Sequence, residues 1–156
     1  MISTISIAMA TYNGGKYLNE QLVSFINQKK LPDELVVCDD GSTDNTIEIL
    51  KDFKRISPFP VLIFENKVRQ GYGQNFGRAL SHCSGDLVFL SDQDDVWFEN
   101  KIILMFEMAN SISEKFLFMN DAVITDSLLN TKSFTKIDQI KFSGLGLNSF
   151  VQGSCC

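Results

Sequence analysis

Along the chain, short runs of consecutive apolar residues alternate with longer stretches in which apolar residues recur every three or four positions. Ile5 to Ala10 is a short apolar run that reads as a strand. Gly14-Gly15 breaks it, and Tyr17, Leu18, Leu22, Phe25 and Ile26 then follow at helical spacing until Pro32. Leu35 to Cys38 predicts a second strand, which runs into Asp39-Asp40-Gly41. Ser42 and Thr43 are the expected helix N-caps there, with Ile47, Leu50 and Phe53 on one helical face. Val61 to Phe64 predicts a third strand. After a loop rich in Gly and Asn, Phe76, Ala79, Leu80 and Cys83 line up, with Gly85 expected to end that helix. Leu87 to Leu90 predicts a fourth strand, and Ile102, Met105, Phe106 and Ala109 mark the helix after it. Phe116 to Met119 predicts a fifth strand.

Strands alternating with helices predict an α/β fold with a mainly parallel sheet covered on both faces, because right-handed crossovers place the helices there. From about Thr125 the pattern weakens. Lys132 to Lys141 is mixed, and a further strand is expected over Ser149 to Gln152.

Composition narrows the function. At 156 residues with 44% hydrophobic content, the chain suits one domain with a real core. Fourteen basic against nineteen acidic residues give a net charge of −5, and no basic cluster exceeds Lys29-Lys30, so nucleic acid is not an expected partner. No window approaches a bilayer span, and the N-terminal apolar run has no basic residue before it. The expected location is the cytoplasm, including peripheral contact with the inner face of the cell membrane. Cysteines at 38, 83, 155 and 156 form no CxxC pair, and His82 is the lone imidazole, which argues against both a disulfide framework and structural zinc. Cys38 reads as a core residue and His82 as a surface one.

The chemistry-bearing residues fall at predicted strand ends, where ligands bind in such sheets. Thr11-Tyr12-Asn13 follows the first strand, Asp39-Asp40 the second, and Asp92-Gln93-Asp94-Asp95 the fourth. Residues two apart in an extended segment share a side, so Asp92 and Asp94 can face one way while Asp95 turns off it. Like charges this close raise one another's pKa or demand a cation. Mg²⁺ or Mn²⁺ suits them, since either is a hard ion held by one or two carboxylates with substrate phosphates and water. Tyr12 offers a flat face for a nucleobase, and Asp39 or Asp40 offers acceptors for a ring N–H or ribose hydroxyls. The bland alternatives are a solvated acidic loop and a packing role for Tyr12. An EF-hand loop from Asp92 fails, because Trp97 stands where Gly is needed and Ile103 where Glu is needed. A dinucleotide fingerprint also fails, since Gly71-Tyr-Gly73-Gln-Asn-Phe76 lacks the third glycine. Asp92-Gln-Asp94-Asp95-Val96 does match the D-x-D-x-[TV] pattern of haloacid-dehalogenase-type phosphatases, with Asp92 as nucleophile. In that family, however, the motif follows the first strand, and here three β-α units precede it.

The segments ISIAMATYNGGKYLNEQLVSFINQ, ELVVCDDGSTDNTIEIL, GYGQNFGRALSHCSGDLVFLSDQDDVW and FVQGSCC together resemble the N-terminal part of a family 2 inverting glycosyltransferase. They are most like the bacterial rhamnosyltransferase-type enzymes of surface-polysaccharide assembly. The resemblance implies a Rossmann-like GT-A fold, with residues 1–124 as a nucleotide-sugar-binding core and 125–156 as the start of an incomplete acceptor-side region. It implies a UDP- or dTDP-sugar donor, a saccharide or lipid-linked saccharide acceptor and metal-assisted, inverting transfer. Tyr12 matches the base-stacking position between Thr11 and Asn13, Asp40 the residue on the base edge with Asp39 beside it, and Asp92 to Asp95 the D-x-D-D segment. There Asp92 contacts the ribose, and Asp94 or Asp95 ligates Mg²⁺ or Mn²⁺ on the diphosphate. Arg69 has two readings, a fork donor to the diphosphate and a solvated loop charge. Glu99 stands where the family often has Pro. The family's catalytic base lies in the acceptor half and is expected beyond Cys156, so the chain reads as a donor-binding half of a longer enzyme. The alternative within the same fold is a non-catalytic nucleotide-sugar-binding module.

Overall fold

A computed structural model describes residues 1–113, together with 117–118, 120–126, 128–135 and 138. They belong to two compact units, Met1–Glu114 and Lys115–Cys156. In the first unit the elements run β1 (Ile5–Thr11), α1 (Leu18–Ile26), β2 (Glu34–Asp39), α2 (Thr46–Ile56), β3 (Val61–Glu65), α3 (Tyr72–His82), β4 (Leu87–Ser91) and α4 (Lys101–Asn110). The four strands form one parallel sheet in the order β3-β2-β1-β4. Each of the first four expected strands is present, and β1 to β4 run one residue further than the apolar runs, into Thr11, Asp39, Glu65 and Ser91. Those terminal polar residues stay in the ladder because their backbone bonds are still supplied by neighbouring strands.

Alternation along the strands divides the core. Ile5, Ile7 and Met9 of β1, Leu35 and Val37 of β2 and Phe89 of β4 face Leu18, Leu22 and Phe25 of α1, Leu50 and Phe53 of α2, Trp97, and Ile102 of α4. The opposite face carries smaller side chains, Ala8 and Cys38, which let α3 approach through Ala79 with Phe64, Cys83 and Val88 around it. The sheet is thus covered on both faces, as expected. Cys38 is fully buried, and the exposed His82 ring stacks on Phe64 with centroids 4.0 Å apart.

Two helix boundaries differ from the sequence expectation. Neither Ser42 nor Thr43 caps α2, which begins at Thr46. Asp44 does the capping work instead, its Oδ1 accepting from the Thr46 N–H at 3.0 Å and the Thr46 hydroxyl at 2.5 Å. The Ser42 hydroxyl is spent on Asp39. At the other boundary α3 stops at His82, three residues before Gly85, with the Cys83 N–H closing back on the Leu80 carbonyl. Leu80 also sits on the outer side of α3, 41% exposed, rather than in the apolar line with Phe76 and Ala79.

In the second unit, β5 (Val123–Thr125) and β6 (Thr131–Thr135) pair antiparallel. Asp126 organises their turn, its Oδ1 accepting from the Leu128 and Asn130 N–H groups at 2.9 and 3.0 Å. Of the strand expected over 116–119, Leu117 and Phe118 are described and are not in a strand, and the one expected over 149–152 lies outside the described residues. Among the described residues no helix is long and apolar enough to cross a membrane.

Candidate nucleotide and metal site

The parallel register brings the chemically active strand ends to one edge. Thr11 lies opposite Asp39, Asp39 opposite Glu65, and Met9 opposite Ser91. β4 therefore ends two residues short of β1, and the acidic loop that follows it comes level with Tyr12. Gln93 exploits this alignment. Its Oε1 accepts the Tyr12 N–H at 2.8 Å and its Nε2 donates to the Tyr12 carbonyl at 3.1 Å, so one side chain satisfies both backbone polar groups of Tyr12. Gly14 makes room for the clamp, since a Cβ there would lie 2.3 Å from Gln93 Oε1.

Asp39 and Asp40 are both buried, but they are used differently. Asp39 Oδ1 accepts from the Gly41 and Ser42 N–H groups at 3.1 and 2.7 Å, and Oδ2 accepts from the hydroxyls of Thr11, at 2.7 Å, and Ser42. These four bonds fill the carboxylate's acceptor sites, so Asp39 ties β1 to the β2–α2 turn and has nothing left for a ligand. Asp40 Oδ1 accepts from Gln70 N–H at 2.7 Å and Asn66 Nδ2 at 2.8 Å, while Oδ2 accepts from Gly71 N–H at 2.8 Å. Gly71 is held at φ 85°, a left-handed conformation that suits glycine. Burial alone would push the Asp40 carboxyl up. The hydrogen bonds from Gln70, Asn66 and Gly71, with the charge of Arg69, outweigh it and hold the pKa below the usual carboxylate value. One acceptor position on Oδ2 remains, and Arg69 Nε stands 3.9 Å from that oxygen.

Arg69 stands on the β3–α3 loop, two residues before Gly71. Its guanidinium lies over the Tyr12 ring, 3.9 Å from the centroid, although the side chain is 65% exposed. Tyr12, Asp40 and Arg69 thus converge, with the planar cation stacked on one face of the Tyr12 ring. Asn13 is also in place at φ 50°, its Oδ1 accepting the Thr43 N–H at 2.8 Å, which orders the turn beside Tyr12.

The acidic loop is electrostatically strained. Desolvation and then the Asp92 charge raise the pKa of Asp94. Asp95 is pushed up to about 6 by desolvation and by Asp94 and Asp92, against the opposing charge of Lys101. Asp92 Oδ1 also accepts the Gln93 N–H at 3.0 Å. Among the described residues no three carboxylate, His or Cys groups form a protein cage for a metal. The hard-oxygen donors with raised pKa fit the weaker arrangement, in which one or two carboxylates share a cation with substrate phosphates.

Several residues of the site were not legible beforehand. Gln93 occupies only the unspecified position of the Asp92-x-Asp94 pattern. Asn66 and Asn75 are buried and joined, with Asn66 Nδ2 3.0 Å from Asn75 Oδ1 and Asn75 Nδ2 donating to the Cys38 carbonyl at 2.8 Å. The available signal was an Asn inside a helix, a residue disfavoured there unless its amide is spent on a specific partner.

The family described as "Glycosyl transferase family 2" matches residues 6–136. A relative named dTDP-rhamnosyl transferase RfbG, from Shigella flexneri, is 38% identical over 114 residues, covering 67% of this chain and 39% of that protein. The Escherichia coli protein named UDP-Glc:alpha-D-GlcNAc-diphosphoundecaprenol beta-1,3-glucosyltransferase WfgD is 28% identical over 123 residues, covering 79% and 47%. The chain therefore spans less than half the length of these relatives. Among solved structures, Staphylococcus aureus TarS 1–349 in complex with UDP aligns with TM-score 0.64 at 24% identity over 83% of this chain and 43% of that one. The mannosyltransferase PcManGT from Pyrobaculum calidifontis, in complex with GDP-Man and Mn²⁺, aligns with TM-score 0.63 at 20% identity over 81% and 36%. These likenesses establish the GT-A fold.

Proposed function

We propose that this chain, which belongs to glycosyl transferase family 2, forms the donor-binding part of an inverting, metal-assisted glycosyltransferase of bacterial surface-polysaccharide synthesis. Its donor is a UDP- or dTDP-sugar and its acceptor a saccharide or lipid-linked saccharide. The observation that carries this reading is the Gln93 clamp, which fixes the Tyr12 peptide to the loop bearing Asp92, Asp94 and Asp95. A nucleoside diphosphate presents a base and a charged diphosphate at a set separation, and the clamp couples an aromatic face to a cation-seeking loop.

In this reading Tyr12 stacks on the base once Arg69 yields the ring face, and Arg69 then turns its fork toward the diphosphate. Asp40 stays ionised and presents its remaining acceptor position to the base edge, while Asp39 acts as a positioning residue for Thr11 and the β2–α2 turn. Asp92 accepts from the ribose, and Asp94 or Asp95 holds Mg²⁺ or Mn²⁺. When bound, that cation neutralises charge on the departing diphosphate. Inverting transfer also needs a base to deprotonate the acceptor hydroxyl. Asp126 does not suit that role, because its carboxylate is committed to the β5–β6 turn. The base is assigned to an acceptor-side region outside the donor-binding part. The names of the relatives support donor and acceptor classes of this kind.

The test is calorimetric titration with UDP, dTDP and GDP in Mn²⁺, using inorganic pyrophosphate as the control. Binding of a nucleoside diphosphate at least tenfold tighter than pyrophosphate is expected. Equal binding would reduce the site to a phosphate-metal contact, and a covalent aspartyl-phosphate at Asp92 would move the assignment to phosphatase chemistry.

A further inference from the structure

The acidic loop is anchored at its entry to α1 and at its exit to the turn that follows α1, and both anchors are buried glutamine side chains. At the loop's entry Gln21, fully buried, donates from Nε2 to the Ser91 hydroxyl at 2.9 Å, and that hydroxyl donates to the Asp92 carbonyl at 2.9 Å. At its exit Gln28 donates from Nε2 to the Phe98 carbonyl at 2.9 Å, and its Oε1 accepts the Ile102 N–H at 3.1 Å. The second bond caps α4 from another element, since Asn100 makes no side-chain cap there. Between the two glutamines Phe25 receives Trp97 edge-on, with centroids 4.8 Å apart. From Gln21 to the end of α1 at Ile26 the helix rises about 7.5 Å and the two residues on to Gln28 add at most about 7 Å, whereas the seven steps from Ser91 to Phe98 can reach roughly 23 Å when extended. The surplus length has to leave the helix surface, and the exposed Asp94 and Val96 are where it does. Gln21 Oε1 and Trp97 Nε1 are, among the described residues, the buried side-chain polar atoms without a hydrogen-bond partner.

We infer that α1 and the turn after it are the template that sets the span of the acidic loop, with Gln21 and Gln28 as positioning residues that fix where the carboxylates stand. The inference rests on the proposed role of that loop in holding a cation and a diphosphate. A buried glutamine costs more to place than a leucine unless both ends of its amide are used. Gln21 has only its amide nitrogen satisfied, and that nitrogen acts on the loop. Gln21→Met keeps the length and volume, deletes the Ser91 contact and also removes the unpartnered carbonyl. The expected stability change is therefore small, while loop placement is lost.

The experiment uses the full chain as wild type, Gln21→Met, Ser91→Ala, the double variant and Gln28→Leu. Three quantities are read: melting temperature, backbone hydrogen exchange over residues 92–98, and the Mn²⁺ concentration that half-saturates UDP binding. Exchange in the loop should rise at least about tenfold in Gln21→Met with the melting temperature within roughly 3 °C of wild type. The Mn²⁺ half-point should rise about tenfold, while affinity for UMP, which keeps the ribose contact to Asp92 but lacks the diphosphate, falls clearly less than affinity for UDP. Gln21→Met and Ser91→Ala should be non-additive because they act through one bond. Unchanged loop exchange, or a fall in UMP affinity equal to that for UDP, would overturn the template. If wild type shows no Mn²⁺-dependent binding, the proposed function fails, and the exchange measurement still decides the template.

Discussion

The two adjacent buried aspartates respond differently to the same isosteric change, because of what faces each oxygen. In Asp39→Asn the amide nitrogen can replace Oδ2, whose partners are the hydroxyls of Thr11 and Ser42. Hydroxyls rotate and accept as readily as they donate, so both contacts survive with reversed sense, and the carbonyl oxygen keeps the Gly41 and Ser42 N–H groups. In Asp40→Asn there is no such solution. A nitrogen at Oδ2 meets the Gly71 N–H, and a nitrogen at Oδ1 meets the Gln70 N–H and Asn66 Nδ2. At least one backbone donor is left buried against another donor. Hydrogen bonds to a charged acceptor are worth roughly 1.5–3 kcal/mol, and an orphaned buried donor adds its own desolvation cost. Asp40→Asn should thus lose about 2–4 kcal/mol and Asp39→Asn about 1 kcal/mol or less. Urea unfolding of both variants at pH 7, extrapolated to water with the slopes compared, measures the two losses. Equal losses, or a larger one in Asp39→Asn, would refute the hydrogen-bond accounting and with it the distinct roles given to the pair.

Tyr12→Ala should lower nucleotide affinity by about 1 kcal/mol and Tyr12→Phe should retain most of it, whereas a pure packing role would lower stability and spare affinity, which calorimetry and melting on the same samples separate. Gly14→Ala and Gln93→Ala should each weaken the Tyr12 clamp by about 1–2 kcal/mol, and the double variant should cost little more than either alone in a urea-unfolding cycle, since both break one contact. Asp86 accepts from the backbone and hydroxyls of Ser3 and Thr4, which hold its pKa down to about 2. A depressed carboxylate contributes stability above its unfolded value, near 3.8, and loses it as pH falls toward 2. The gap in urea midpoint between wild type and Asp86→Asn should accordingly be flat from pH 7 to 5 and shrink below about pH 4, and a gap that widens in acid would contradict the assignment.

How much of this was legible in the sequence depends on where the determining contacts lie. The strands and helices of the first unit were readable because each buries a face whose period is local, as in Ile5, Ile7 and Met9 or Leu18, Leu22 and Phe25. The convergence of Tyr12, Asp40 and the acidic loop followed from their positions after parallel strands. Which carboxylate is structural did not follow, because Asp39 and Asp40 are neighbours of one type, and only the fold reveals four partners around Asp39 and a loop wrapped on Asp40. Arg69 over Tyr12 joins the β3–α3 loop to the end of β1, and no spacing encodes that. Gln21, Gln28 and Gln93 were invisible because a glutamine carries no periodic signature, and its value comes from partner groups 70 or more residues away, the Ser91 hydroxyl for Gln21 and backbone groups for the other two. The β5–β6 pair was missed for another reason. Its strands are only three and five residues long, β6 is mostly polar, and its turn is built by Asp126 and Asn130 without the Asn-Gly or Asp-Gly signal of tight hairpins.

The central claim is that crowded carboxylates and an aromatic face together hold a nucleoside diphosphate through a shared cation. Calorimetry of UDP and dTDP binding in Mn²⁺, in Mg²⁺ and in EDTA, with wild type and Asp94→Asn side by side, tests it most directly. Binding should require the cation and weaken at least about tenfold, roughly 1.4 kcal/mol, in Asp94→Asn. Equal affinity in EDTA, or an Asp94→Asn variant that binds as tightly as wild type in Mn²⁺, would contradict it.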